Sequence, residues 1–249
     1  MATAATPATN RTSATTGTST TGTSVTDTAP AAEAPAAAPG RRSLAVRLVG
    51  DTHALGRRLP QLLVGLFLYG SSMALMLRAS LGANSWDVFH QGLVRHLGLS
   101  LGSWVTITGA AVLLLWIPLR QRPGIGTVGN VLVLGVAMDL TLGAVSAPHA
   151  LAARVALLVT GIVLNGLATG LYIGARLGPG PRDGLMTGLH RRTGRSLRLI
   201  RTGIELTVLA IGILLGGTFG VGTVAYALAI GPLAQFFLRW CTVPEAARK

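Results

Sequence analysis

Between residues 60 and 240 the chain alternates between long apolar runs and short polar breaks rich in arginine, glycine and proline. Six apolar runs stand out, near 60–79, 103–119, 125–147, 151–175, 199–216 and 222–240. Each approaches the roughly 20 residues that a helix rising about 1.5 Å per residue needs to cross about 30 Å of hydrocarbon. The pattern predicts an all-α polytopic membrane protein with six main transmembrane helices. Two shorter segments, 84–97 and 180–193, carry helix-start signals but are too short to span, and are read as half-helices. Residues 1–40 are almost entirely Ala, Thr, Pro, Ser and Gly. With nothing to bury they cannot repay the entropy of ordering, and a disordered tail is expected, with no signal-peptide pattern in it. The basic stretch 41–58 carries Leu44, Leu48 and Leu55. It reads either as a helix lying on the membrane face or as a solvated juxtamembrane linker. Residues 241–249 form a short C-terminal tail.

Charge sharpens this picture. Only 12% of residues are charged, yet the net charge is +13. A basic balance of that size often signals nucleic acid, but here the basic residues lie in short loops between apolar runs, which is a topology signal. With the N-terminus inside, Arg78, Arg95 and Arg154 fall outside and the other 18 of the 21 basic residues fall inside. Both termini are therefore expected in the cytoplasm of a bacterial-type plasma membrane. All but Lys249 of these residues are arginine, which reads as the composition of a GC-rich genome. The single cysteine, Cys241, excludes an internal disulfide framework and a multi-cysteine metal site.

The chain also matches itself. A shift of 96 residues lays LGANSWDVFHQGLVRHLGLSL (81–101) over LGPGPRDGLMTGLHRRTGRSL (177–197) without a gap, with nine of 21 positions identical. Among them are Asp87/Asp183, Arg95/Arg191 and Ser100/Ser196, which shared membrane composition alone would not align. The same shift pairs Gly124, Gly126 and Thr127 with Gly220, Gly222 and Thr223. The membrane region thus divides into one repeat over 59–147 and a second over 151–240, each with three spans and a half-helix. Three is odd, so the second copy enters from the opposite side, as in inverted-repeat transporters.

The segments LGANSWDVFHQGL, LGPGPRDGLMTGLHRRTG, IRTGIEL and LLGGTFGVGT resemble the YczE/YyaS/YitT family of bacterial membrane proteins over roughly residues 60–240. The first copy reads Asn84-Ser85-Trp86-Asp87 where such proteins often read Pro-Trp-Asp. The resemblance implies a polytopic membrane protein and supplies no mechanism.

Candidate chemistry centres on the half-helices. Asn84 and Gly180 sit at cap positions, Pro181 opens the second helix, and Asp87 and Asp183 fall at the third helical position. In one reading both aspartates simply stabilise helix starts and Trp86, Phe89, Leu93 and Leu97 face lipid. In the other, the half-helices are re-entrant and their starts line a solute, cation or proton site. Asp139 and Glu205 lie inside predicted spans, where an ionisable group must face protein or water. Glu205 follows Arg201 by four residues and would pair with it, and Arg78 is a candidate partner for Asp139. Asn130 and Asn165 are polar spots within spans, suited to interhelical hydrogen bonds or to a site. Gly166, Gly170 and Gly174 recur every four residues, as close helix packing requires.

No nucleotide-binding loop, metal-ligand spacing or catalytic triad pattern appears, so neither an enzyme nor a cofactor is expected. The expected partners are the lipid bilayer and a small solute or ion, without nucleic acid; a homo-oligomer or a protein partner is left open. The leading expectation is a small transporter or permease-like protein with a solute or proton path between two repeats. The alternative is an accessory membrane protein that binds another protein. A polar cavity reaching Asp87, Asp183 or Asp139 favours the first and a dry core the second. Reporter fusions at either terminus should read as cytoplasmic, and removal of residues 1–40 should leave membrane insertion and thermal stability unchanged. An outward-facing C-terminus would remove the inverted-repeat argument.

Overall fold

The computed structural model describes residues 52–242, in which helices and their connections account for every residue. The tail 1–40, most of the basic segment 41–58 and most of the C-terminal tail lie outside the described residues. Among the described residues eight helices follow one another: α1 (Thr52–Ala79), α2 (Ser85–Leu97), α3 (Leu101–Trp116), α4 (Ile125–Ala144), α5 (Leu151–Gly174), α6 (Pro181–Thr193), α7 (Leu197–Leu214) and α8 (Val221–Cys241). Large apolar side chains such as Leu114, Leu140, Leu214 and Leu228 are exposed. In water such a surface would drive association, whereas in lipid it is the expected exterior. The chain is an all-α, multi-pass membrane protein.

All six expected spans are helical, but they are not equal. Four are long and apolar enough to cross a membrane on their own: the Leu55–Ala79 part of α1, and α4, α5 and α8. Helix α3 has 16 residues, about 24 Å at 1.5 Å per residue, and falls short of the hydrocarbon thickness. Helix α7 carries Arg198, Arg201 and Glu205 in its 18 residues. The two exceptions are the same element of each repeat, and each follows a half-helix directly. In the first repeat that bent pair, α2 and α3, turns through 111°.

The 96-residue shift reappears in the backbone. Left-handed positions occur at Ser80 and Arg176, Gly82 and Gly178, Gly98 and Gly194, and Arg120 and Gly216, all separated by the shift. Few non-glycine residues adopt positive φ, so four such coincidences mark equivalent turns. Gly82 (φ 110°) and Gly178 (φ 129°) lie where a side chain is disfavoured, and a Cβ there would also press on Thr223 and Thr127 respectively.

The contacts between repeats are reciprocal. The Gly126 amide donates to the Leu177 carbonyl at 2.9 Å, and the Gly222 amide donates to the Leu81 carbonyl at 2.7 Å. A side chain on Gly184 would collide with the Trp116 ring, and one on Gly212 with the backbone of Val88 and Phe89. Under the shift each of these pairs becomes the other. At the centre α1 packs on α5, burying Leu66, Met73, Met76 and Ile162, with α4 against α1 and α8 against α5. Gly166, Gly170 and Gly174 let α5 approach Leu233, Phe237 and Cys241 of α8 closely.

One helix pair breaks the rule. Helix α3 packs along α4, where a Cβ on Gly135 would overlap the Gly102 carbonyl and the Thr106 hydroxyl. The equivalent helices α7 and α8 show no comparable packing, and Gly231, the counterpart of Gly135, has nothing within 4 Å of its Cβ position. Gly135→Ala should therefore lower thermal stability in detergent by about 1–3 kcal/mol through overpacking. Gly231→Ala should be neutral or stabilising by up to about 1 kcal/mol through helix propensity. Equal effects would contradict the unequal packing.

Candidate functional site

The two half-helices begin side by side. In α2 the Asn84 side chain caps the helix, its Oδ1 accepting from the amides of Trp86 (3.1 Å) and Asp87 (3.0 Å). Its amide nitrogen donates to Asp87 Oδ2 at 2.5 Å. Helix α6 begins at Gly180, which offers no side-chain cap, and Pro181 takes the first helical position. Asp183 there accepts instead from the Tyr172 hydroxyl at 2.6 Å. Trp86 and Arg182, which correspond under the shift, meet one another: the guanidinium lies 4.4 Å from the indole centroid. Trp86 is thus buried beneath an arginine, which removes it from the lipid-facing stripe of one reading, whereas Leu97 of that stripe is exposed.

Where α7 stands away from α8, a cavity of about 300 Å³ opens on these helix starts. Tyr69, Asn84, Trp86, Arg182, Asp183, Arg201, Glu205 and Tyr226 all line it. A second hollow of about 260 Å³ shares Tyr69, Asp183, Arg201 and Tyr226 and adds Tyr172 and Gln235. Two arginines and two carboxylates face this space, so its formal charges balance. Arg201 Nε and Glu205 Oε1 are 3.0 Å apart, which is the ion pair expected from their spacing.

The sequence candidates divide around this cavity. Asp183 and Glu205 line it. Asp87 sits behind its wall, fully buried and reached through Asn84. Asn165 is also fully buried and ties three helices together. Its amide donates to Ser72 at 2.7 Å and its carbonyl accepts from the cavity-lining Tyr226 hydroxyl at 3.1 Å. Asn130 lies near the start of α6, where its side-chain amide would be 3.4 Å from a Cβ on Gly180.

Asp139 is elsewhere, at the α3–α4 junction. It accepts from the Ser100 hydroxyl at 2.5 Å and the Gly102 amide at 2.8 Å. It thus neutralises the free donors at the start of α3. Arg78 donates to the Leu142 carbonyl, so the expected Arg78–Asp139 pairing gives way to two helix-end contacts. The sequence reading missed Tyr69, Tyr172, Tyr226, Trp86 and Arg182. The available signal was that all three tyrosines of the chain fall inside apolar runs, Tyr69 near the middle of its own.

Fold and site define a polytopic α-helical membrane protein with a charged, tyrosine-lined cavity among its helices. Over residues 56–239 the chain belongs to a family of unknown function (DUF6198). It is 38% identical over 177 residues to an uncharacterized protein of Haemophilus influenzae, covering 71% of this chain and 81% of that one. It is 34% identical over 171 residues to the uncharacterized membrane protein YczE of Bacillus subtilis, covering 68% of this chain and 79% of YczE. The uncharacterized protein YyaS of the same organism is 25% identical over 179 residues, covering 70% of this chain and 89% of its own length. These relatives agree with the resemblance read from the repeated motifs. No solved structure matches the chain at a significant level.

The repeat suggests that Asp87 and Asp183 are interchangeable, but their surroundings differ. Asp87→Ala would leave the buried Asn84 amide without its acceptor, at a cost of about 1–3 kcal/mol. Asp183→Ala would leave Tyr172 beside an open cavity and should cost less. Thermal unfolding of the two variants in one detergent checks the order, and equal losses would contradict the placement of Asp87 behind the wall.

Proposed function

We propose that this protein is a small transporter of the bacterial plasma membrane, with both termini cytoplasmic and a path for a small polar solute between two inverted repeats. The carrying observation is the cavity. It sets Arg182, Asp183 and tyrosine hydroxyls among apolar helices, next to the starts of both half-helices, with the more exposed Arg201–Glu205 pair beside them. Charged groups at such depth are costly and are retained where they meet water or a ligand. The arginine distribution supports the inverted arrangement, because the copies of each loop fall on opposite sides of the membrane.

The unequal helix pairs supply a means of alternating access. With the termini inside, the start of α3 and the end of α4 lie on the outer side, closed through Asp139, Ser100 and Gly102. The start of α7 and the end of α8 lie on the inner side, where Arg201 and Gln235 line the cavity. Exchange of these two arrangements would close the inner side and open the outer one. Ser196 would then approach Gln235, as Ser100 now meets Asp139. Arg198 stands where the first repeat has Gly102, so this second closure is wider, and Gln235 reaches one methylene further than Asp139.

Paired cysteines in a Cys241→Ser background test the exchange. A Ser100→Cys/Asp139→Cys pair should cross-link in the resting protein. A Ser196→Cys/Gln235→Cys pair should cross-link through a short bifunctional thiol reagent in a second population, and the two links should exclude each other. Failure of the second pair to react under every condition would remove the exchange. For the solute itself, metabolite profiles of a deletion strain should be restored by the wild-type chain and not by an Asp183→Asn variant that inserts normally. Profiles that do not respond to the deletion would leave the accessory role as the reading.

A further inference from the structure

Behind the cavity wall lies an isolated pair of titratable groups. Asp87 and His90 are both fully buried, one turn apart on α2, with Asp87 Oδ1 3.6 Å from His90 Nδ1. Asp87 Oδ2 is taken by Asn84, but Oδ1 has no hydrogen-bond partner, and neither has either ring nitrogen of His90. Unpartnered buried polar atoms cost about 1–3 kcal/mol each, and a bare buried carboxylate costs more. A core that only needed filling would be better served by an apolar residue at position 90. The second repeat has one, since Met186 occupies the equivalent place and Asp183 turns to the cavity and Tyr172. The pair is thus particular to the first repeat.

We infer that Asp87 and His90 together form a proton-binding site, with one proton held between Oδ1 and Nδ1. Without the proton, ionised Asp87 beside neutral His90 carries one buried negative charge. Uptake of a single H⁺ from solution makes the pair neutral overall, whichever of the two atoms holds it. At 3.6 Å the atoms stand just beyond hydrogen-bond range, and a side-chain movement of well under 1 Å brings them into it. The charged and titratable groups that face the pair are Arg182 on α6, Tyr69 on α1 and Tyr226 on α8. Helix α3 brings none, and the face of α7 around Gly212 that packs on α2 is apolar.

The site also touches the cavity. Asn84 lines the cavity with one side and donates to Asp87 with the other, and Trp86, next to Asp87, stacks on Arg182, next to Asp183. Proton binding at one half-helix start is therefore joined mechanically to the solute-facing start of the other. This coupling rests on the transport reading, whereas proton binding itself does not.

The test uses the full-length protein in lipid nanodiscs, labelled with ¹⁵N-histidine, with the His90 signal identified by its loss in His90→Gln. In the wild type the His90 nitrogens should respond as the pair takes up its proton, and Asp87→Asn should move the midpoint of that response by at least one pH unit, a tenfold change in proton affinity. Infrared difference spectra across the same pH range provide a second readout on the wild type alone if Asp87→Asn fails to fold. They should show a carboxyl or imidazole protonation change that His90→Gln alters. A pH range over which neither the His90 nitrogens nor the infrared difference changes, or a His90 titration that ignores Asp87 while the infrared difference ignores His90, would overturn the site. Neither readout requires a known solute, so this result stands apart from the outcome of the metabolite experiment.

Discussion

Two backbone hydrogen bonds hold the architecture together: Gly126 to the Leu177 carbonyl and Gly222 to the Leu81 carbonyl. Each joins the loop before a half-helix in one repeat to the start of the last span in the other. Half-helices inside a membrane protein face a problem that full spans do not, because their free backbone amides and carbonyls fall where there is no water. Here the loops that feed them are docked on helix starts, which also have unpaired amides to satisfy. Gly82 and Gly178 permit the approach, since their positive φ and missing side chains let the loop lie against Thr223 and Thr127. Once both loops are docked, α2 must lie against α7 and α6 against α3. The aspartate-bearing starts of α2 and α6 are then brought to one place.

Much of this was legible in the chain. Apolar run length located the helices, and the 96-residue register located the half-helices with Asn84 and Gly180 at their caps. Run length was less able to separate a full span from a compromised one. The runs that became α3 and α7 have a high apolar content, yet one is short and the other carries three charged residues, and both are shaped by the half-helix before them. Of the site, Asp183 was visible because the 96-residue register pairs it with Asp87 at a helix start, and Glu205 because charge within an apolar run is rare. The tyrosines and Trp86 were not, because an aromatic residue in a span is ordinary until the structure shows what its polar atom meets. Asp139 was visible as an anomaly but took a local role, since the start of α3 supplies an amide and a hydroxyl that a single sequence does not place beside it.

The departure of α7 from α8 gives meaning to the differences between the copies. At the closed α3–α4 junction the first repeat has Gly102, Gly135 and Asp139, small residues and a capping carboxylate that suit tight contact. The second repeat has Arg198, Gly231 and Gln235 in those places, and both Gly231 and Gln235 border open space. Two junctions built from the same backbone plan thus carry unequal tightness in their side chains, and the cavity lies where the looser one parts.

The contact between Trp86 and Arg182 shows why a duplicated chain suits such a site. These residues correspond under the repeat, so each occupies the position that faces its own counterpart. In a symmetric pair of identical copies this position would set like against like. Two arginines 4 Å apart would repel, and two indoles would lose the charge that Arg182 brings to the cavity. A single chain with two copies can hold different residues there, and an aromatic face beneath a guanidinium is a favourable pairing at this distance. The same freedom separates Asp87, enclosed with His90, from Asp183, which faces the cavity beside Tyr172. Duplication supplies two equivalent helix starts, and divergence at the residues around them lets one be enclosed while the other is left open.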